Sequence, residues 1–437
     1  MGAGELHRYR LDNGLRVVLA PDTTTQVVGV SVHYDVGFRS EPEGRTGFAH
    51  LFEHLMFQGS ESLAKLAHFR HIQGSGGMFN GSTHPDYTDY FAVLPSAALE
   101  RALFLEADRM RAPKLTEENL ANQIDVVKEE IRLNVLNRPY GGFPWILLPP
   151  VLYETFPNAH NGYGDFTDLE QATLDDCAAF FDAYYAPANA VLTVTGDFHP
   201  DRARELIDKH FADVPARQVP HRPSFAEPRP GTEKRDTHVD PHAPLPALAV
   251  GYRMDDPIEE MDSYLANIVL ASVLAEGEGA RLQQRLVHSD ALVSDINAEA
   301  GLFGPFEARD PDTFSVTAIH PADVPAQRVL DALDDELDTL ASRPPEQAEL
   351  SKATARWTAA LHGENDRIVS RTLALGSFEL LYGDPALIHD LPARIGAVTP
   401  EDVAAAAKAL RPDSRAVLFV EPSSNSQNAT HDTEGAQ

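Results

Sequence analysis

Cysteine is nearly absent. Cys177 is the one cysteine in 437 residues, which excludes an intramolecular disulfide and any metal site built on thiolates. It sits in the helical run Leu174-Asp175-Asp176-Cys177-Ala178-Ala179-Phe180, where it reads as a small core residue. Long apolar runs are missing too. The greasiest stretch, 143–153, is broken by Pro144, Pro149 and Pro150, so nothing approaches the ~20 apolar residues of a membrane-spanning helix. The opening segment, from Met1 to Arg10, holds no apolar stretch of the kind that makes a secretory leader. The expectation is a cytoplasmic protein without a membrane partner. Basic residues are scarce: 36 Lys and Arg against 66 Asp and Glu leave a net charge of −30. Such a surface repels nucleic acid and anionic lipid, so no nucleic-acid partner is expected.

What is present concentrates in Gly47-Phe48-Ala49-His50-Leu51-Phe52-Glu53-His54-Leu55-Met56-Phe57. Nothing in this run breaks a helix. On a helix, positions i, i+3 and i+4 share a face, so His50, Glu53 and His54 point the same way. Two neutral imidazoles one turn apart can grip a Zn²⁺ and leave a position open for water. The carboxylate of Glu53 would be the base for that water. The order His-x-x-Glu-His is the inverse of the common His-Glu-x-x-His. Two surface histidines on an ordinary helix would give the same five letters. The flanking Leu51, Phe52, Leu55, Met56 and Phe57 argue instead for a mostly buried helix, where polar groups need partners such as a metal.

A chain this long needs two or more domains. Asp12-Asn13-Gly14 reads as a type I′ hairpin turn, and Val28, Val30, Val32 and Tyr34 alternate as a strand does. Residues 76–83, loosened by Gly76, Gly77 and Gly81, read as a strand paired with another over 86–94. The pattern then recurs. Ala172-Thr173-Leu174-Asp175-Asp176 resembles Val398-Thr399-Pro400-Glu401-Asp402, and Ala190-Val191-Leu192-Thr193-Val194 resembles Ala416-Val417-Leu418-Phe419-Val420. The interval from Thr173 to Thr399 equals that from Val191 to Val417, which chance would rarely arrange. The expected fold is therefore α+β in two homologous halves. Each half is an antiparallel sheet with helices packed on one face. The division reads as a zinc-binding half over 1–213, a proline-rich linker over 214–241, a homologous non-catalytic half over 242–422 and a disordered tail over 423–437. The helix over 264–274 in the second half has no His or Glu at the metal positions.

A third protein ligand is wanted, from another helix. Gln123-Ile124-Asp125-Val126-Val127-Lys128-Glu129-Glu130-Ile131 offers Glu129 and Glu130. With Val126, Val127 and Ile131 toward a core, Glu130 lies nearer the apolar stripe, yet the pair could equally be solvated. Taken together, the motif, its context and the duplication resemble the pitrilysin/insulinase family of zinc peptidases, in the two-domain branch of the mitochondrial processing peptidase. The resemblance runs over residues 5–420 and includes Tyr184-Tyr185-Ala186-Pro187-Ala188-Asn189-Ala190 and Gly196-Asp197.

The resemblance implies that Glu130, which stands at the family's spacing after His54 and in its Val-Val-x-x-Glu context, is the third ligand. It implies that Glu53 is the base of an endopeptidase acting on unfolded peptides or small proteins. The alternative is a non-catalytic or assembly subunit of the same family. It implies two facing halves around a chamber, with a peptide added as a strand along 78–83, near Asn80 and Gly81. Two departures stand out. A carboxylate often found two helical turns before the third ligand is here Gln123. An Arg and a Tyr at a set spacing, which contact substrate from the second half, are here Arg281 and Ser294. The missing phenol implies a partner: a homologous subunit in a heterodimer, or a second copy in a homodimer.

Overall fold

The computed structural model describes residues 6–423. Residues 1–5 and 424–437 are outside the described residues, and with them all of the expected tail except Ser423. Packing divides the chain into two units. One holds Met1–Lys128, Gly162–Ser224 and Ala360–Pro392; the other holds Glu129–Asn161, Phe225–Ala359 and Ala393–Gln437. The units thus exchange segments, where the sequence led us to expect two consecutive halves.

The first unit is built on strands β1 (His7–Arg10), β2 (Arg16–Pro21), β3 (Val27–Tyr34), β4 (Met78–Thr83), β5 (Thr88–Pro95) and β6 (Ala190–Gly196). They form one sheet in the order β1-β2-β6-β3-β5-β4, antiparallel except for β2 beside β6. β4 is an edge strand, as expected for 78–83. The β1–β2 turn differs from type I′. Of its residues only Gly14 has a positive φ, 94°, and Gly14 N–H donates to Leu11 O at 2.9 Å. Asn13 instead uses its side-chain amide to reach Phe211 O at 2.8 Å.

The two faces of β3 explain the exchange. Val28, Val30, Val32 and Tyr34 are completely buried on the face that receives helix α2 (Leu99–Arg111). The alternate residues Gly29, Ser31 and His33 are small or polar. That face is covered by helix α5 (Ile368–Leu381), which packs on β3, β5 and β6. The approach is very close: a Cβ on Gly29 would stand 2.2 Å from Thr372 Oγ1, and one on Gly376 would stand 2.3 Å from His33 Nδ1. Thr195 and Thr372 share a hydrogen bond between their hydroxyls. The single helical layer expected from sequence is therefore joined by a second, contributed from far along the chain.

The second unit carries β7 (Lys234–Asp240), β8 (Ala247–Arg253), β9 (Asp295–Ala300), β10 (Thr313–Ile319) and β11 (Arg415–Pro422), ordered β7-β11-β8-β10-β9. This repeats β2-β6-β3-β5-β4, including the single parallel pair, here β7 with β11. Helices α4 (Leu174–Tyr184) and α6 (Pro400–Ala409) both begin with a capping box, Thr173 with Asp176 and Thr399 with Asp402. The duplication seen in the letters is thus a duplication of structure. Strand β7 corrects the expected linker: within 214–241, Lys234–Asp240 is paired. The apolar pattern missed it because an edge strand is held by backbone hydrogen bonds and has one exposed side. No helix among the described residues is long and apolar enough to cross a membrane.

Candidate metal centre

Helix α1 (Phe48–Leu55) starts at Gly47, whose φ of 81° is left-handed. A side chain there would also collide with Tyr163 O, 2.6 Å from the Cβ position. Gly47 brings no capping side chain. The buried carboxylate of Glu41 takes over, accepting from Gly47 N–H at 2.8 Å and Ala49 N–H at 2.7 Å. This satisfies helix-start amides that have no partner within the helix and places negative charge at the positive end of the helix dipole. Replacing Glu41 with Ala is expected to lower stability by about 1–2 kcal/mol. Urea unfolding of the variant beside the parent checks this.

The apolar side of α1 is fixed by aromatic packing. Phe52 meets Tyr185 at 4.6 Å and Phe180 at 5.4 Å between ring centroids. Leu51, Phe52 and Leu55 are buried, whereas His50, Glu53 and His54 are half-buried along the other face. The two imidazoles lie nearly perpendicular, centroids 4.8 Å apart, and Tyr163 stands edge-on to His50 at 5.2 Å.

Helix α3 (Glu117–Ile131) supplies the rest. Gln123 is buried, with Oε1 3.3 Å from His54 Nδ1, while its Nε2 donates to Asn122 Oδ1 at 2.9 Å. The position expected to lack a supporting carboxylate therefore still offers an acceptor. That contact suits the tautomer with Nδ1 protonated, in which Nε2 carries the lone pair a metal would take. Glu130 lies about two helical turns beyond Gln123 and so on the same face. Ligand atoms of His50, His54 and Glu130 all lie within 4.8 Å of one another. Glu129 is exposed and pairs with Arg132 at 3.1 Å, and it is Glu130 that falls in the group with the two histidines. Val126, placed toward a core by the sequence reading, is 42% exposed. Two neutral imidazoles and a carboxylate form a donor set that zinc accepts with one position to spare.

Glu53 is outside this ligand group. Thr83 Oγ1 donates to Glu53 Oε2 at 2.8 Å. A Cβ on Gly81 would stand 3.2 Å from both Cγ and Oε1 of Glu53. Behind them Tyr90 and Tyr185 place their hydroxyls 3.3 Å apart. Burial, more than the nearby charge of Glu53, pushes both phenols well above their ordinary range. Cys177 is pushed up to about 12, first by burial and then by Asp176 and Glu117, so it stays an inert thiol.

The other expected contacts are distributed as follows. Asn80 is exposed on β4 and Gly81 is buried beside Glu53. Arg281 belongs to the second unit. It is held by Glu349 in a bidentate pair at 2.7 and 2.9 Å and by Glu336 at 3.3 Å. Ser294 directs its hydroxyl to Ile319 O at 3.2 Å. The sequence reading missed Glu41, Gly47 and Thr83. Glu41 and Thr83 lie outside the motif, and Gly47, at its start, has no side chain to mark a role.

Residues 16–138 match the family model described as Insulinase (Peptidase family M16), and residues 171–356 match that of the Peptidase M16 inactive domain. A zinc protease of Helicobacter pylori, PqqE, is 30% identical over 347 residues, covering 78% of this chain and 76% of that protein. The chain belongs to peptidase family M16. This M16 chain is also 25% identical over 431 residues to an uncharacterized zinc protease of Streptomyces coelicolor, covering 93% of this chain and 87% of that one. Among solved structures, that of a protease from Helicobacter pylori superposes with a TM-score of 0.88 at 26% identity, over 96% of this chain and 100% of the other. His50, Glu53, His54 and Glu130 all fall within the insulinase match. The inactive-domain match covers α4, β6 and much of the second unit.

Proposed function

We propose that this M16 chain is a zinc-dependent endopeptidase for unfolded peptides. The observation that carries the reading is the convergence of His50, His54 and Glu130 with Glu53 held separately alongside. His50, His54 and Glu130 would hold the ion, which when bound supplies a Lewis acid and lowers the pKa of a coordinated water. Glu53 would accept a proton from the attacking water and return it to the leaving amine. The outer edge of β4, at Asn80 and Gly81, would align the peptide by backbone hydrogen bonds, since β4 is an edge strand that among the described residues pairs with β5 alone. Arg281 would be a further substrate contact, and a peptide group would have to compete with Glu349 for it.

Ser294 supports a partner in the same reading. Its hydroxyl is several Å short of the reach of a tyrosine, so a homologous subunit, or a second copy, would have to supply the missing donor. Loss of one such donor costs ~10²–10³ in rate. The purified chain is expected to cleave a quenched peptide weakly, to lose that activity to a chelator, and to gain about 10²–10³-fold with a co-expressed homologue. High activity unaffected by any partner and by Ser294→Tyr would overturn the partner reading. Zinc binding without cleavage under every pairing would favour an assembly subunit.

A further inference from the structure

We propose that Thr83 is a positioning residue for Glu53, so that the edge strand β4 orients the base as well as presenting a docking edge. The inference rests on the peptidase reading above. Three observations carry it. First, Thr83 donates to Glu53 Oε2 at 2.8 Å, between groups that are both half-buried. A hydrogen bond to a carboxylate in such a place is stronger than one between neutral groups. Second, positions i and i+2 of a strand face the same way, and Gly81 and Thr83 both face Glu53. At 81 the strand has no Cβ, and one would stand 3.2 Å from the carboxylate. At 83 it has a donor. The strand thus makes room for the carboxylate with one residue and tethers it with the next. Third, Thr83 is fixed from behind, paired with Thr88 of β5 in the ladder. A β-branched side chain has few χ1 choices, so the hydroxyl direction follows the backbone.

A glutamate has three side-chain torsions, and unrestrained it would spend much of its time away from the attack geometry. Tethering Oε2 fixes the direction of Oε1. Such preorganisation acts on turnover, because it concerns the reacting geometry and not peptide affinity.

The test compares zinc-loaded full-length Thr83→Val and Thr83→Ser with the parent on one quenched peptide, reading kcat and KM separately. Zinc content and thermal midpoint are read on the same samples. Val matches Thr in shape and removes only the donor. The expected result for Thr83→Val is a kcat lower by about tenfold and KM within about twofold, with zinc content and thermal midpoint equal to the parent. Thr83→Ser is expected to recover most of kcat. The proposal is overturned if Thr83→Val keeps parental kcat, if its loss lies in KM or in zinc content, or if Thr83→Ser is as slow as Thr83→Val. A parent chain that binds zinc and cleaves nothing, with or without a homologue, overturns the peptidase reading itself. That outcome is distinct from an active parent indifferent to position 83.

Discussion

Replacing Glu53 with Gln is expected to lower peptide turnover by about 10³–10⁴-fold while zinc stays near one ion per chain. Gln keeps the length of the side chain and can still accept the hydrogen bond from Thr83 Oγ1, so the local packing has no reason to change. It cannot take the proton from an attacking water. Glu130→Gln should do the reverse, weakening zinc affinity because Glu130 shares the ligand group with His50 and His54. Metal analysis beside kcat for both variants decides the assignment. Loss of zinc in Glu53→Gln with retention in Glu130→Gln would mean that the two roles are exchanged.

His54→Ala should empty the site and abolish hydrolysis together. Only His50 and Glu130 would remain of the three donors, and two donors hold zinc poorly. The loss should be larger than that from altering Gln123, whose Oε1 lies 3.3 Å from His54 Nδ1 and would orient that ring, and whose removal would weaken affinity by about 10–100-fold. The fold should survive, because α1 is anchored by its opposite face, where Leu51, Phe52 and Leu55 are buried. The check is zinc content by elemental analysis on protein whose circular dichroism matches the parent. Full occupancy in His54→Ala would remove His54 from the ligand group.

Much of the site was legible because its chemistry is local. His50, Glu53 and His54 share a helix face by spacing alone, and their apolar neighbours place that face in a packed setting. Glu130 needed more. Helix geometry could not separate it from Glu129; the pairing of Glu129 with Arg132 and the approach of Glu130 to the histidines favour Glu130. The duplication was legible because capping boxes are written in adjacent letters, Thr173 to Asp176 and Thr399 to Asp402. Features held by backbone or by distant segments were not. β7 carries few apolar residues because its ladder is its support. Glu41 caps α1 across a turn whose path no periodicity records. Helix α5 reaches β3 from near the opposite end of the chain, and nothing in the letters Ser31 and His33 marks the segment that covers them.

That last arrangement bears on the order in which the chain can be completed. The six strands of the first sheet have all been made once synthesis passes Gly196, but α5 ends only at Leu381. At the ~5–20 residues per second of ribosomal elongation, making the stretch between those two positions takes roughly 10–40 s. For that time the sheet lacks the helix that covers its second face. The composition of that face suits the wait. Gly29, Ser31, His33, Thr193 and Thr195 set small and hydrogen-bonding groups among the apolar Val18, Phe91, Val93 and Val191 that the register places on the same face, so the uncovered surface is mixed where the opposite face of β3 is wholly apolar. Those polar groups temper the apolar ones until α5 arrives.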